Sequence, residues 1–401
     1  MILGVNIRNF DAFVDDTIGL MIEDSGKFVG HDVSDRGIRL RNMNALIGRN
    51  NTGKSAFIRA LSFVKRCILS DVGKACVVDN RPGFMNLLID DTKPASFRIF
   101  FRILDKETGK SDFLQYELTI GAGKFGSPYI LEEKVLSSVK DGDGTVIGEI
   151  FENSENMRLV TDDKITALSV LGKLNGSDEA VRQVYDEMNG WFFCAFSAEE
   201  SSDYFSSGNA PGAHKHLNSE GSNLGNVLDY LKSLGEDKYE EVISDINSKI
   251  PALRKRRKNL PENLQGSPEK LFKYLLLLQD PDPKTTIFIE TPDRDLYHDM
   301  VDVLADEMRE FTLRHPYSQI IFSTHNPYIV ETMSPKEIWV FTRDFDDESD
   351  SYPPVKIRCA GEDPVVNELF AQGVGMGAIW YGGHLDEGSE EYDEKGNNNA
   401  H

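Results

Sequence analysis

The chain has 401 residues, of which 40% are hydrophobic, enough to bury one large core or two modest ones. No apolar run approaches the roughly 18–20 residues that span a bilayer, so no membrane-spanning helix is expected, and no membrane partner either. A formal charge of −22, from 44 basic and 66 acidic residues, argues against a protein that coats DNA with its whole surface.

The start, Met1-Ile2-Leu3-Gly4-Val5-Asn6-Ile7-Arg8, lacks the apolar run and small-residue cleavage site of a signal peptide and reads as the first strand of a sheet, over residues 2–10. Cys67, Cys76, Cys194 and Cys359 are scattered and form no CxxC pair. Neither a disulfide framework nor a zinc site is expected, and a reducing cytoplasm fits. Residues 38–47 read as a second strand that runs directly into Gly48-Arg49-Asn50-Asn51-Thr52-Gly53-Lys54-Ser55. After this loop, Phe57, Leu61, Val64 and Ile68 recur at helical spacing, which predicts an amphipathic helix from Lys54 to Leu69.

Gly48–Ser55 matches GxxxxGK[ST] in the right setting, strand before and helix after. Gly48 and Gly53 let the backbone curl so that successive N–H groups point at phosphates, and the helix adds its positive N-terminal end. Lys54 is expected to neutralise the β- and γ-phosphates, and the Ser55 hydroxyl to ligate Mg²⁺. Gly48, Arg49, Asn50, Asn51, Thr52, Gly53, Lys54 and Ser55 together form the expected ATP cradle.

Residues 96–160 are β-rich and partly alternating, as in Phe97–Ile103 and Phe113–Leu118, with a turn signal at Asp141-Gly142-Asp143-Gly144. They predict an antiparallel lobe. Residues 178–190 and 222–280 read as helices with Gly, Ser and Asn breaks. Within them Arg254-Lys255-Arg256-Arg257-Lys258 is the one dense basic run. It is either a solvated helix end or a contact to nucleic acid or to the phosphates of a neighbouring subunit's nucleotide.

Thr285–Glu290, Gln319–Ser323 and Ile338–Thr342 are short apolar strands separated by helical patterns, the mark of a parallel α/β sheet. The first ends in a carboxylate, the Walker B arrangement, in which Glu290 holds Mg²⁺. The second leads into Ser323-Thr324-His325, which places His325 at a strand tip beside Glu290, where it can hydrogen-bond a γ-phosphate. Asp344–Asp350 is an acidic loop, and Asp386–Glu394 opens an acidic, Asn-rich tail expected to be disordered. No heptads persist over many turns, so a long coiled coil is not expected.

With GRNNTGKS, the strand ending Glu290-Thr291-Pro292 followed by Leu296, and the Ser-Thr-His switch, the chain resembles the ABC-type AAA ATPases of the SMC, RecF and overcoming-lysogenization-defect group. Asn218–Leu224 resembles the segment that opens the helical lobe there. The resemblance implies a P-loop NTPase of ABC type, α/β, with an antiparallel β insertion and a helical lobe. One ATPase domain is expected over 1–380, as a P-loop lobe (1–95), an antiparallel β lobe (96–175), a helical signature lobe (176–283) and a Walker B and switch-His half (284–380), before the tail (381–401).

It also implies a homo-oligomer whose subunits sandwich ATP between one Walker A loop and the partner's signature loop. The best match to that loop is Asn263-Leu264-Gln265-Gly266-Ser267, where Gly266 fits the signature glycine, Leu264 stands in place of its serine, and Ser267 is the available hydroxyl. Relatives place Asp-Glu-Pro where this chain has Glu290-Thr291-Pro292, so the usual catalytic glutamate is replaced by Thr291. Loss of a general base costs about 10²–10⁴ in rate; slow or absent hydrolysis is expected unless Asp293 or Asp295 substitutes. About 60 residues follow Thr342, fewer than an appended nuclease domain of the kind found in this group needs. The expectation is a regulatory ATPase that acts with a separate effector, a nuclease by class, resembling the ATPase subunits of anti-phage systems such as Septu and PARIS. The alternatives are a RecF- or SMC-like clamp on DNA and a non-hydrolysing ATP-bound scaffold.

Overall fold

Two six-stranded sheets divide the strands by pattern. In the computed structural model the residues described are 1–19, 42–77, 83–104, 111–141, 144–154, 159–197, 214–254, 264–280, 282–343 and 353–385. The antiparallel sheet takes β1 (Ile2–Phe10), β2 (Phe13–Gly19), β4 (Ala95–Leu104), β5 (Ser111–Ala122), β6 (Pro128–Asp141) and β7 (Gly144–Ser154), in the order β2-β1-β4-β5-β6-β7. The second takes β3 (Met43–Ile47), β8 (Trp191–Cys194), β9 (Thr286–Glu290), β10 (Gln319–Ser323), β11 (Ile338–Thr342) and β12 (Lys356–Cys359), in the order β12-β11-β3-β10-β9-β8. All its pairs are parallel except β11 with β12.

The helix after the glycine loop, α1 (Lys54–Leu69), lies between the sheets. Phe57, Leu61, Val64 and Ile68 are buried with Ile7, Phe97, Ile99 and Tyr116 of the antiparallel sheet and with Leu46, Phe288, Ile321 and Phe341 of the parallel one. Alternate residues of the same parallel strands, Ala45, Ile47, Ile287, Ile289, Ile320 and Phe322, point the other way into a second core. That core is closed by α5 (Leu224–Ser233), α6 (Glu236–Lys249), α7 (Ser267–Leu278), α8 (His298–Arg314), α9 (Pro364–Ala371) and α10 (Met376–Tyr381). With both faces covered, these strands are apolar throughout rather than alternating. The short α2 (Val72–Ala75) and α3 (Ala167–Leu171), with α4 (Glu179–Asn189), pack beside α1.

The observed seam differs from the expected lobes in two places. β1 and β2, grouped by sequence with the P-loop, pair with β4 instead, through a register from Ile2↔Phe101 to Arg8↔Ser96. β8, within the lobe 176–283 but between the two stretches read as helices, is the edge strand beside β9, where Trp191 and Phe193 pack against Phe288. The longest described helix is α8, 17 residues, and no long coiled coil is present among the described residues. No described helix is long and apolar enough to cross a membrane. Residues 38–41, the acidic loop 344–350, the tail from 386, Lys255–Lys258 and Asn263 lie outside the described residues.

Candidate functional site

Strand order brings the sequence-distant motifs together. β10 sits between β3 and β9, in register with both, so Leu46 faces Ser323 on one side and Glu290 faces it on the other. The amide of Thr324 donates to Leu46 O at 3.0 Å, which fixes the turn that carries His325 against the base of the glycine loop.

The loop itself needs its glycines. Gly48 has φ 137°, and a Cβ there would lie 2.1 Å from Phe341 O. Gly53 caps α1 at φ 103°, and Asn51 also takes positive φ, 66°. Lys54 folds back over the loop: its Nζ donates to Gly48 O at 2.8 Å, to Arg49 O at 2.6 Å and to Thr52 Oγ1 at 3.2 Å. Burial pushes its pKa down to about 8. These carbonyls occupy the ammonium as phosphate oxygens would.

A cavity of about 390 Å³ opens here, a size suited to a nucleotide. It is lined by residues 50–56 of the loop, by His325, and by Asp11, Arg59 and Arg343. Burial, then the Lys54 charge, holds the His325 ring below its usual range, opposed by a hydrogen bond to the Gly48 backbone. A larger cleft, about 1130 Å³, opens at the opposite ends of the parallel strands around Asn42, Thr285 and Ser318, and contains none of the phosphate-binding residues. Chemistry, not size, identifies the smaller one.

Of the residues named from sequence, Asn50, Asn51, Thr52, Gly53, Lys54, Ser55 and His325 line this cavity, and Gly48 and Arg49 hold Lys54 from behind. Glu290 stands half-buried at the tip of β9, beside the cavity rather than in its wall. Among the described residues no group of three or more His, Cys, Asp or Glu is arranged to hold a metal ion. The Ser55 hydroxyl and the Glu290 carboxylate are hard oxygen donors of the kind that Mg²⁺ takes.

Thr291 takes φ 43°, an outlier for a β-branched residue, with its amide donating to Ser323 O and Oγ at 3.1 Å each. Neither nearby acid faces the cavity. Asp293 is buried, bonded to Thr324, and raised in pKa by that burial. Asp295 lies on the loop that follows, at φ 63°. Gly266 and Ser267 do not line the cavity either: they start α7, and Ser267 Oγ donates to Asp295 O. Lys270 reaches the same loop at Arg294 O, 2.5 Å away. Arg254 is exposed, a few residues after the end of α6.

Sequence reasoning missed Asp11, Arg59 and Arg343. Arg59 carried a signal, four residues after Ser55 on one helix face; Asp11 and Arg343 are joined to the site only by the fold.

Residues 167–331 match a protein-family model described as "AAA domain, putative AbiEii toxin, Type IV TA system". The matched stretch is less than half of the chain; the fold itself is mixed α/β, with the glycine loop set between β3 and α1. Solved structures that it resembles include an SMC head bound to the C-terminal winged-helix domain of ScpA (12% identity, 89% of this chain and 97% of that one, TM-score 0.46). Others are the SMC head domain of Thermotoga maritima (12%, 88% and 98%, TM-score 0.40) and the Pyrococcus furiosus SMC head with an extended coiled coil bound to the C-terminal domain of ScpA (11%, 92% and 99%, TM-score 0.42). No curated protein sequence matches the chain.

Proposed function

We propose that this chain is an ATP-binding regulatory subunit whose copies assemble through nucleotide sandwiches and control a separate effector, a nuclease by class, in bacterial anti-phage defence. The observation that carries the reading is the make-up of the cavity. It has the groups that hold a nucleoside triphosphate, Lys54, Ser55 and His325, but its one carboxylate among the described lining residues is Asp11, which is ion-paired to Arg59. Among the described lining residues there is no carboxylate besides the ion-paired Asp11 to take a proton from an attacking water, and the Thr291 hydroxyl is not basic at neutral pH.

Ser55 and Glu290 would hold Mg²⁺, which when bound offsets phosphate charge. Gly266 and Ser267 lie outside their own cavity, which supports their meeting the nucleotide of a second copy. ATP would then act as a clamp more than as a fuel.

Phosphate release and ATP binding by the native protein, Lys54→Ala and Thr291→Glu test this. The expected result is binding without appreciable turnover in the native protein, no binding in Lys54→Ala, and hydrolysis gained in Thr291→Glu. Native turnover that disappears in Lys54→Ala would overturn the clamp.

A further inference from the structure

In a chain of net charge −22, the described residues that line the candidate nucleotide cavity include three cations, Lys54, Arg59 and Arg343, and one carboxylate, Asp11. No Phe, Tyr or Trp stands among the described lining residues, which offer an anion several donors. Only Lys54 of these cations belongs to the phosphate-binding motif.

Arg59 lies four residues after Ser55, one helical turn along the same face of α1. Its Nε and Nη2 donate to Asp11 Oδ2 at 2.9 and 2.6 Å, which leaves Nη1 without a hydrogen-bond partner among the described residues. Arg343, at the end of β11, donates from Nη2 to Ala12 O at 3.2 Å. Both arginines are therefore braced by the turn between β1 and β2.

That turn is held rigidly. Asn9 and Asp11 both take positive φ, 51° and 53°. The Asn9 amide donates to Asp90 O and Lys93 O at 2.8 Å each and accepts from Asp90 N at 2.8 Å, and Asp11 N donates to Leu87 O at 2.7 Å. A strained conformation fixed by so many bonds fits a part that presents a group in one orientation.

We propose that Arg59 and Arg343 form a second phosphate-binding pair, outside the glycine loop, and that Asp11 is the positioning residue that aims Arg59. This rests on the nucleotide reading of the cavity and adds what that reading lacks: recognition of the polyphosphate by groups outside the glycine loop, carried partly by the antiparallel sheet.

The test is titration calorimetry of the full chain with Mg-ATP and with Mg-tripolyphosphate, which has no base or sugar. A charge-assisted bond of this kind contributes about ten- to a hundred-fold in affinity. Arg59→Gln and Arg343→Gln are expected to weaken both ligands in parallel by that factor, with Arg59→Lys recovering part of it. Asp11→Asn is expected to alter ATP affinity in the native background and not in Arg59→Gln, as a residue acting through Arg59 must.

Weakening of ATP alone, with tripolyphosphate unchanged, would overturn the phosphate assignment. Affinities within two-fold of native in both glutamine variants would overturn it as well, provided that Lys54→Ala has lost binding. If Lys54→Ala binds as the native protein does, the nucleotide reading itself falls.

Discussion

Lys54 shows how one residue can be read twice, once from its motif and once from its surroundings. The motif placed its ammonium against phosphate; the structure adds that three neutral oxygens of the loop hold it and burial lowers its pKa to about 8. Phosphate would supply the opposite charge that the carbonyls lack and raise that pKa. The bound state then holds more protons than the free state between the two values, so affinity must fall as pH rises above about 8. We expect ATP binding to weaken by up to tenfold per pH unit above that point, with proton uptake seen as a buffer-dependent calorimetric enthalpy. Lys54→Arg should flatten the profile, since a guanidinium does not titrate there. An unchanged slope in that variant would assign the effect to another group. Thr291 is the reverse case: the resemblance implied a threonine in place of the usual catalytic glutamate, but not that it sits at φ 43°. Backbone strain of that kind leaves no mark on composition or spacing.

At the scale of elements, strands and helices with strong periodicity were legible, α1 and the three central parallel strands above all, because burial on one face or two dictates the pattern. What the pattern could not say was which strand pairs with which. β1 looks like any buried strand, and only its partner β4, nearly 90 residues on, puts it in the antiparallel sheet. The same long-range pairing assembles Glu133, a fully buried carboxyl on β6. It accepts from Ala167 N at 2.6 Å, Leu168 N at 3.0 Å and Tyr116 Oη at 2.9 Å, and so ties the sheet to the start of α3. Burial, against those three bonds, raises its pKa from 4.5 to about 7. A carboxyl raised in the folded state contributes stability that is fully present below pH 4.5 and lost as pH passes through about 7. Glu133→Gln cannot titrate. Urea unfolding at pH 5 and pH 8 should therefore show the stability difference moving toward the variant by up to about 3 kcal/mol as pH rises. Parallel curves for the two proteins would rule out this origin.

On the scale of the whole molecule, the site is legible as a set of motifs and illegible as a surface. Gly48–Ser55, Glu290 and His325 converge because β10 lies between β3 and β9. Asp11 and Arg343 join them only through the packing of two sheets around α1. The start of α7 is the remaining piece. Ser267 and Lys270 both grip the loop after Glu290, at Asp295 O and Arg294 O, so the tip of α7 and that loop form one body on the surface. Gln265 there is exposed. If nucleotide is sandwiched between copies, a bulky residue at this tip obstructs the partner without touching the chain's own cavity. Gln265→Trp is thus expected to bind ATP with native affinity, while ATP-dependent self-association, followed by light scattering over a dilution series, weakens at least about tenfold, since blocking a buried contact costs more than about 1.4 kcal/mol. The neighbouring Gly266, at φ 70° and ψ −146°, is a poorer probe because any side chain there would strain the backbone. Self-association equal to native in Gln265→Trp would place the interface elsewhere. Self-association that needs no ATP in either protein would remove the nucleotide from the assembly altogether.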